Sequence, residues 1–239
     1  MRTWIVAAFV AGVLSMSSSA SAETRAFDVG PFSEVEVSTG IMAEIIAGPP
    51  QSVRVESARP NDFDDLSVVV RNGRLSIAIV RSPGGFFENL GDWFSGRRIV
   101  ARISAPAITA VAANAGADID GTGVGGADVS VEASSGARIR LTAVEAQAMR
   151  ATASSGASIS AVGACSTLDV EVSSGGSLDL ARLVCQRVRA RGSSGGHASV
   201  NATQSLDAAA SSGGSVSVTG KPKDVRVDTS IGGQVDVDR

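Results

Sequence analysis

The sequence predicts an all-β protein: a single-stranded parallel β-helix, or solenoid, with about 18–20 residues per coil. Three observations predict it. A Ser-Ser-Gly unit recurs through the second half of the chain. Apolar and polar residues alternate on both sides of that unit. The composition is 44% hydrophobic but only 4% aromatic, so the core must be built from Val, Ile, Leu and Ala, which suit thin repeated β layers.

The repeat is explicit. Asn114-Ala115-Gly116 is followed by Ser-Ser-Gly at Gly136, Gly156, Gly175, Gly195 and Gly213, and by Ser230-Ile231-Gly232. The glycine steps are 20, 20, 19, 20, 18 and 19 residues. Three residues after the glycine stand Ile119, Ile139, Ile159, Leu178, Ala198, Val216 and Val235. Five before it stand Val131, Ala151, Val170, Ala190, Ala208 and Val227. Polar residues separate these columns from their apolar neighbours two positions away, which is the period of a strand with one buried face. Each coil therefore reads as two clear strands joined by a tight corner, with a third, less regular side. The glycine permits positive φ at the corner. One coil cannot bury its own apolar face, so stacking supplies the core.

The N-terminal segment reads as a targeting signal. Arg2 precedes an apolar run from Trp4 to Leu14, too short to span a bilayer, and Ala20-Ser21-Ala22 is a small-x-small cleavage site. The expected cut lies between Ala22 and Glu23, giving a signal peptide at 1–22 and one β-helix domain at 23–239. Export follows, to the periplasm, the outer-membrane surface or the extracellular space. A formal net charge of −3 gives no general affinity for nucleic acid.

Residues 24–109 read as β-rich but irregular. Val35 and Val37 alternate with polar neighbours, and the strands 66–70 and 75–80 flank the Asn72-Gly73 turn signal. Residues 110–239 carry the coils.

Several stretches resemble the bacterial family described as putative autotransporter adhesin, head GIN domain. They are Phe32-Ser33-Glu34-Val35-Glu36-Val37-Ser38-Thr39-Gly40-Ile41, then Asn72-Gly73-Arg74-Leu75-Ser76-Ile77, then Val100-Ala101-Arg102-Ile103-Ser104-Ala105-Pro106-Ala107-Ile108, followed by the Ser-Ser-Gly coils. The resemblance implies a right-handed winding and no catalytic residues or cofactor. It implies adhesion to an envelope or surface ligand, either glycan or protein.

The remaining features carry paired readings. The Ser-Ser columns form two lines of hydroxyls at about 4.8 Å spacing. They are either a polar array for glycan, surface or ice contact, or small corner residues bonded to nearby backbone. Six residues before each glycine stand Ser130, Arg150, Asp169, Arg189, Asp207 and Arg226, whose alternating sign predicts an ion ladder that holds the register. Cys165 and Cys185 both fall ten residues before their glycine, in a column with Gly126, Ala146 and Thr203. They are either bridged or two small buried thiols. Two Cys without an adjacent His do not suggest a metal. His197, the only histidine, falls in a solvent-facing column, and Asp118/Asp120 face Arg138/Arg140 of the next coil.

Phe86, Phe87, Leu90, Trp93 and Phe94 have the spacing of one face of a short helix within 83–96. They offer an anchor for a partner or membrane surface, or a plug for the solenoid core. Asp236, Asp238 and Arg239 offer charges that guard the last coil's edge against pairing, and association through the coil ends into homo-oligomers is the alternative. Three functions follow: a non-enzymatic binding module, an assembly element of the envelope, or, by fold analogy alone, a polysaccharide-acting enzyme.

Overall fold

The computed structural model describes residues 23–80 and 98–238. Ala22, with the rest of 1–22, and Phe86, Phe87, Leu90, Trp93 and Phe94 lie outside the described residues. The described chain is a β-solenoid of about six turns. Its strands are β1 (Glu23–Phe27), β2 (Glu34–Val37), β3 (Met42–Ala47), β4 (Ser52–Ser57), β5 (Leu66–Arg71), β6 (Arg74–Ile79) and β7 (Ile99–Ala105). They continue with β8 (Ala110–Ala113), β9 (Asp118–Thr122), β10 (Gly125–Ala133), β11 (Arg138–Ala153), β12 (Ser158–Val172), β13 (Ser177–Gly192) and β14 (His197–Ala210). β15 (Ser215–Thr219), β16 (Asp224–Thr229) and β17 (Gln234–Val237) close the series.

The repeat columns are the register of the stack. Ile119, Ile139, Ile159, Leu178, Ala198, Val216 and Val235 are direct partners along the ladder. All but Val235 are buried. Full burial of one such Ile or Leu stabilises by about 1.5–3 kcal/mol relative to exposure, so the column is a continuous aliphatic spine.

The third side is the less regular one, carrying the register shifts, but it too is strand. In β11, β12, β13 and β14 one strand of 14–16 residues runs from corner to corner, bending round the core with local register shifts. The parallel ladder thus satisfies backbone groups on all three sides. The corner, in turn, does not rest on glycine alone. The second serine is also left-handed, with Ser135 at φ 53° and Gly136 at 72°, and the same holds at each later Ser-Ser-Gly. Positive φ at both central residues is the type I′ turn, closed here by the Ala137 N–H donating to the Ser134 carbonyl at 3.1 Å. Successive corners are stitched together, because Gly136 N–H donates to Ser155 O at 3.0 Å and Gly156 N–H to Ser174 O at 3.1 Å.

The N-terminal part is more regular than its sequence suggests. Ser38-Thr39-Gly40-Ile41 is a corner of the same type, with Thr39 at φ 63° and Gly40 at 67°. β2 and β3 flank it and pair in parallel with β8 and β9. On their other side lie β6 and β7, also parallel. In space the β2–β3 coil therefore sits between the β6–β7 coil and the β8–β9 coil. β5, β4 and β1 then join antiparallel and close this end. Phe63, in the 3-10 turn Pro60–Phe63, is buried there beneath the Arg25 guanidinium, 4.3 Å from the ring centroid. At the far end the last coil leaves Val225 and Val227 exposed.

Candidate functional site

The residues six to eight positions before each corner glycine line an open groove of about 1020 Å³. The floor is the buried column Val129, Met149, Leu168, Val188 and Leu206. The groove runs from Glu34 on β2 through β8, β10, β11, β12, β13 and β14 to Arg226 on β16. Those seven inter-strand steps span about 34 Å at about 4.8 Å each.

The charge column read from the sequence is one wall of this groove. Ser130, Arg150, Asp169, Arg189, Asp207 and Arg226 are direct ladder partners. They do not form the expected continuous ion ladder. Arg150 meets Asp169 at 3.5 Å and Glu171 at 2.6 Å, and Arg189 meets Asp207 at 3.3 Å. Asp169 reaches diagonally to Arg191 at 3.8 Å instead of to Arg189. A strand-to-strand step leaves each carboxylate between two guanidiniums, and the long side chains settle on one of them. The pairs are exposed and worth about 0–1 kcal/mol each, which suits a register device better than a source of stability. Among the described residues Arg187, Lys223 and Arg226 of the groove have no ion-pair partner. Arg187 stands between Thr167 and Ser205 on the second wall.

On the side beyond the corner, Arg140 holds Asp120 at 2.6 Å and Asp118 at 2.9 Å. Arg138 adds a contact to Asp118 at 3.6 Å. The Asp120 hydrogen bond, with both carboxylates nearby, raises the Arg140 pKa above its ordinary value. Arg102 is raised in the same way by Glu56 and Glu44, and Arg74 by Glu34. These carboxylates are occupied by arginine. Among the described residues no group of three His, Cys, Asp or Glu is placed to hold a metal. His197 is exposed on β14.

Cys165 and Cys185 are ladder partners on β12 and β13, joined by a disulfide with Cα atoms 4.6 Å apart, and both face the core. Their column continues into Ala202, not Thr203. The β14 coil is the shortest, so a fixed offset from the glycine slips by one residue there. Thr203 Oγ1 instead donates to the Cys185 carbonyl at 3.1 Å.

Of the two readings of the corner serines, hydrogen bonding of their hydroxyls to nearby backbone is not seen among the described residues. Ser134 donates to Asn114 Oδ1 at 2.7 Å and Ser38 meets Thr39 at 3.3 Å, while the hydroxyls of the later Ser-Ser pairs have no hydrogen bond among the described residues. The second serine of each pair is exposed.

Fold and groove together define the class: an elongated β-solenoid that presents side chains from each coil along one open face. The chain belongs to the family described as putative auto-transporter adhesin, head GIN domain, whose model matches residues 31–222. Solved structures share the fold. A putative adhesin from Bacteroides fragilis is similar at 15% identity and TM-score 0.79, covering 91% of this chain and 97% of that one. A putative lipid binding protein from Parabacteroides distasonis is similar at 15% identity and TM-score 0.67, with the same coverage. A putative adhesin from Parabacteroides distasonis is similar at 17% identity and TM-score 0.62, also over 91% and 97%. No curated protein matches the chain by sequence.

Proposed function

We propose that the protein is an exported, non-enzymatic surface-binding module of the cell envelope, acting as one domain from Glu23 onward, and that the groove is its binding face. The observation that carries this reading is the division of labour along the stack. The inward column repeats small aliphatic residues from coil to coil, while the outward walls change at every rung. Invariant stacking with variable outward chemistry suits an extended ligand held at many points. Membership in an adhesin family supports the same reading. Among the described residues no helix is long and apolar enough to cross a membrane.

The test is retention of the purified chain on envelope fractions. Thr167→Glu with Arg187→Glu alters the groove wall, while His197→Ala with Ser199→Ala alters the side beyond the corner. Retention lost only with the groove variant is the expected result. Equal retention by both variants removes the groove as the binding face.

A second reading, assembly through the coil ends, is favoured by Val225 at 47% and Val227 at 44% exposure on the last coil. Analytical ultracentrifugation decides it. A monomer at high concentration counts against assembly.

A further inference from the structure

The groove reading leaves the ligand unnamed, and the spacing of its charges narrows the choice. Arginines occupy alternate rungs of one wall: Arg150 on β11, Arg189 on β13 and Arg226 on β16. Two ladder steps separate them, about 9.6 Å. The rungs between carry Asp169 and Asp207. A linear ligand lying along the groove would therefore meet a cation, then an anion, then a cation. An extended pyranose unit advances about as far as one rung. A sugar chain laid in register would accordingly place successive units on Arg, Asp and Arg.

A unit over arginine is best recognised if it carries a carboxylate, because the guanidinium fork binds planar anions with two parallel hydrogen bonds. Arg226 has its whole fork free, with Asp224 on the opposite wall of the same rung; Arg189 uses only Nε on Asp207, and Arg150 has its two terminal nitrogens on Asp169 and Glu171. A unit over aspartate must be uncharged, because a second carboxylate there would be repelled. Its hydroxyl or amide hydrogens can instead donate to Asp169 or Asp207. Arg187 puts a second guanidinium on the β13 rung; Ser205 beside it offers a hydroxyl to a neutral unit, and Thr167 Oγ1, which donates to the Gln147 carbonyl at 3.2 Å, offers an acceptor.

Resting on the binding-face reading above, we propose that the groove takes an acidic glycan in which a uronate alternates with a neutral sugar, its chain parallel to the solenoid axis. The same pattern discriminates against polymers charged on every unit, since every second charge would lie against an aspartate.

The experiment measures binding of the purified chain to three probes: hyaluronan oligosaccharides, in which carboxylates alternate with neutral residues, polygalacturonate, in which each unit is charged, and neutral dextran. Hyaluronan should bind most tightly, and its affinity should fall with added salt. Arg226→Gln should weaken it about tenfold, the scale of one lost charge-assisted hydrogen-bonded contact. Arg226 makes no ion pair among the described residues, so its removal leaves the fold unaltered, which thermal denaturation checks. Arg189→Gln should weaken binding similarly. Polygalacturonate or dextran binding as tightly as hyaluronan overturns the alternating-uronate assignment and leaves the groove as a binding face. Unchanged hyaluronan affinity in both arginine variants overturns it as well. If none of the three binds, the assignment also fails, and envelope retention separately decides the groove reading.

Discussion

The Ser193-Ser194 corner carries two adjacent glycines where the earlier corners carry Gly-Ala (Gly136-Ala137, Gly156-Ala157), and substitution at each position separates what this corner asks of them. Gly195 has φ 72° and open space around the position of a Cβ. Gly196 has no positive φ, but a Cβ there would sit 2.8 Å from the Val172 carbonyl carbon and oxygen and 2.9 Å from Ser173 N of the preceding coil. Gly195→Ala therefore meets only the left-handed penalty, about 1–2 kcal/mol. Gly196→Ala forces backbone against backbone. The corner is anchored by Gly196 N–H to Ser193 O at 2.8 Å and by Ser215 N–H to Gly196 O at 2.9 Å, so relief disturbs two stacked coils. Overpacking of this kind costs about 1–3 kcal/mol, here near the upper end.

For a chain of this size 1 kcal/mol corresponds to roughly 2–4 °C in Tm. Thermal and urea denaturation should then show a shift of about 2–8 °C for Gly195→Ala and about 6–12 °C for Gly196→Ala. Asparagine sharpens the test. Gly195→Asn should recover much of the alanine loss, because Asn tolerates the left-handed region, whereas Gly196→Asn should be no better than alanine. The reasoning is refuted if Gly195→Ala is the more damaging change, or if asparagine rescues position 196.

Three further predictions concern other parts of the chain. Mass spectrometry under non-reducing conditions should find no free thiol, and the double change Cys165→Ala with Cys185→Ala should cost about 3 kcal/mol for a loop of about 20 residues, a loss that vanishes in reductant; two free thiols in the native chain would remove the bridge. Arg189→Asp should destabilise by about 0.5–1 kcal/mol, and adding Asp207→Arg should recover part of it, because that pair is re-formed with its signs exchanged; additive losses would show that the column does not act as a register device. Trp93→Ser with Phe94→Ser separates the two readings of 83–96: a chain that no longer folds assigns the segment to core closure, and a folded chain with reduced surface retention assigns it to an anchor.

Local, repeated interactions were legible without coordinates. The corner glycines, the inward columns and the facing of Cys165 by Cys185 all follow from period two and a coil length near 20, since each coil meets only its neighbours. The Asp118/Asp120 and Arg138/Arg140 facing is equally a consequence of register. Where coil length changes the rule weakens, and Ala202 replaces Thr203 beside Cys185 because β14 belongs to a coil two residues shorter than the one before it. The Ser38-Thr39-Gly40 corner escaped the repeat because 76 residues separate Gly40 from Gly116, and no spacing pattern links them.

Which residues face inward, and how the coils from Gly116 onward stack, can be read from alternation and corner chemistry, because these are properties of neighbouring positions. Three further things depend on the assembled fold: the β2–β3 coil lies between β6–β7 and β8–β9, the charge column separates into discrete pairs, and it forms the wall of a groove. Coil order depends on which strand edges meet after the chain doubles back. Ion pairing depends on side-chain reach between three rungs at once. The groove depends on how the outward side chains of eight stacked strands stand relative to one another, and an alternating pattern of apolar and polar residues fixes facing without fixing surface shape.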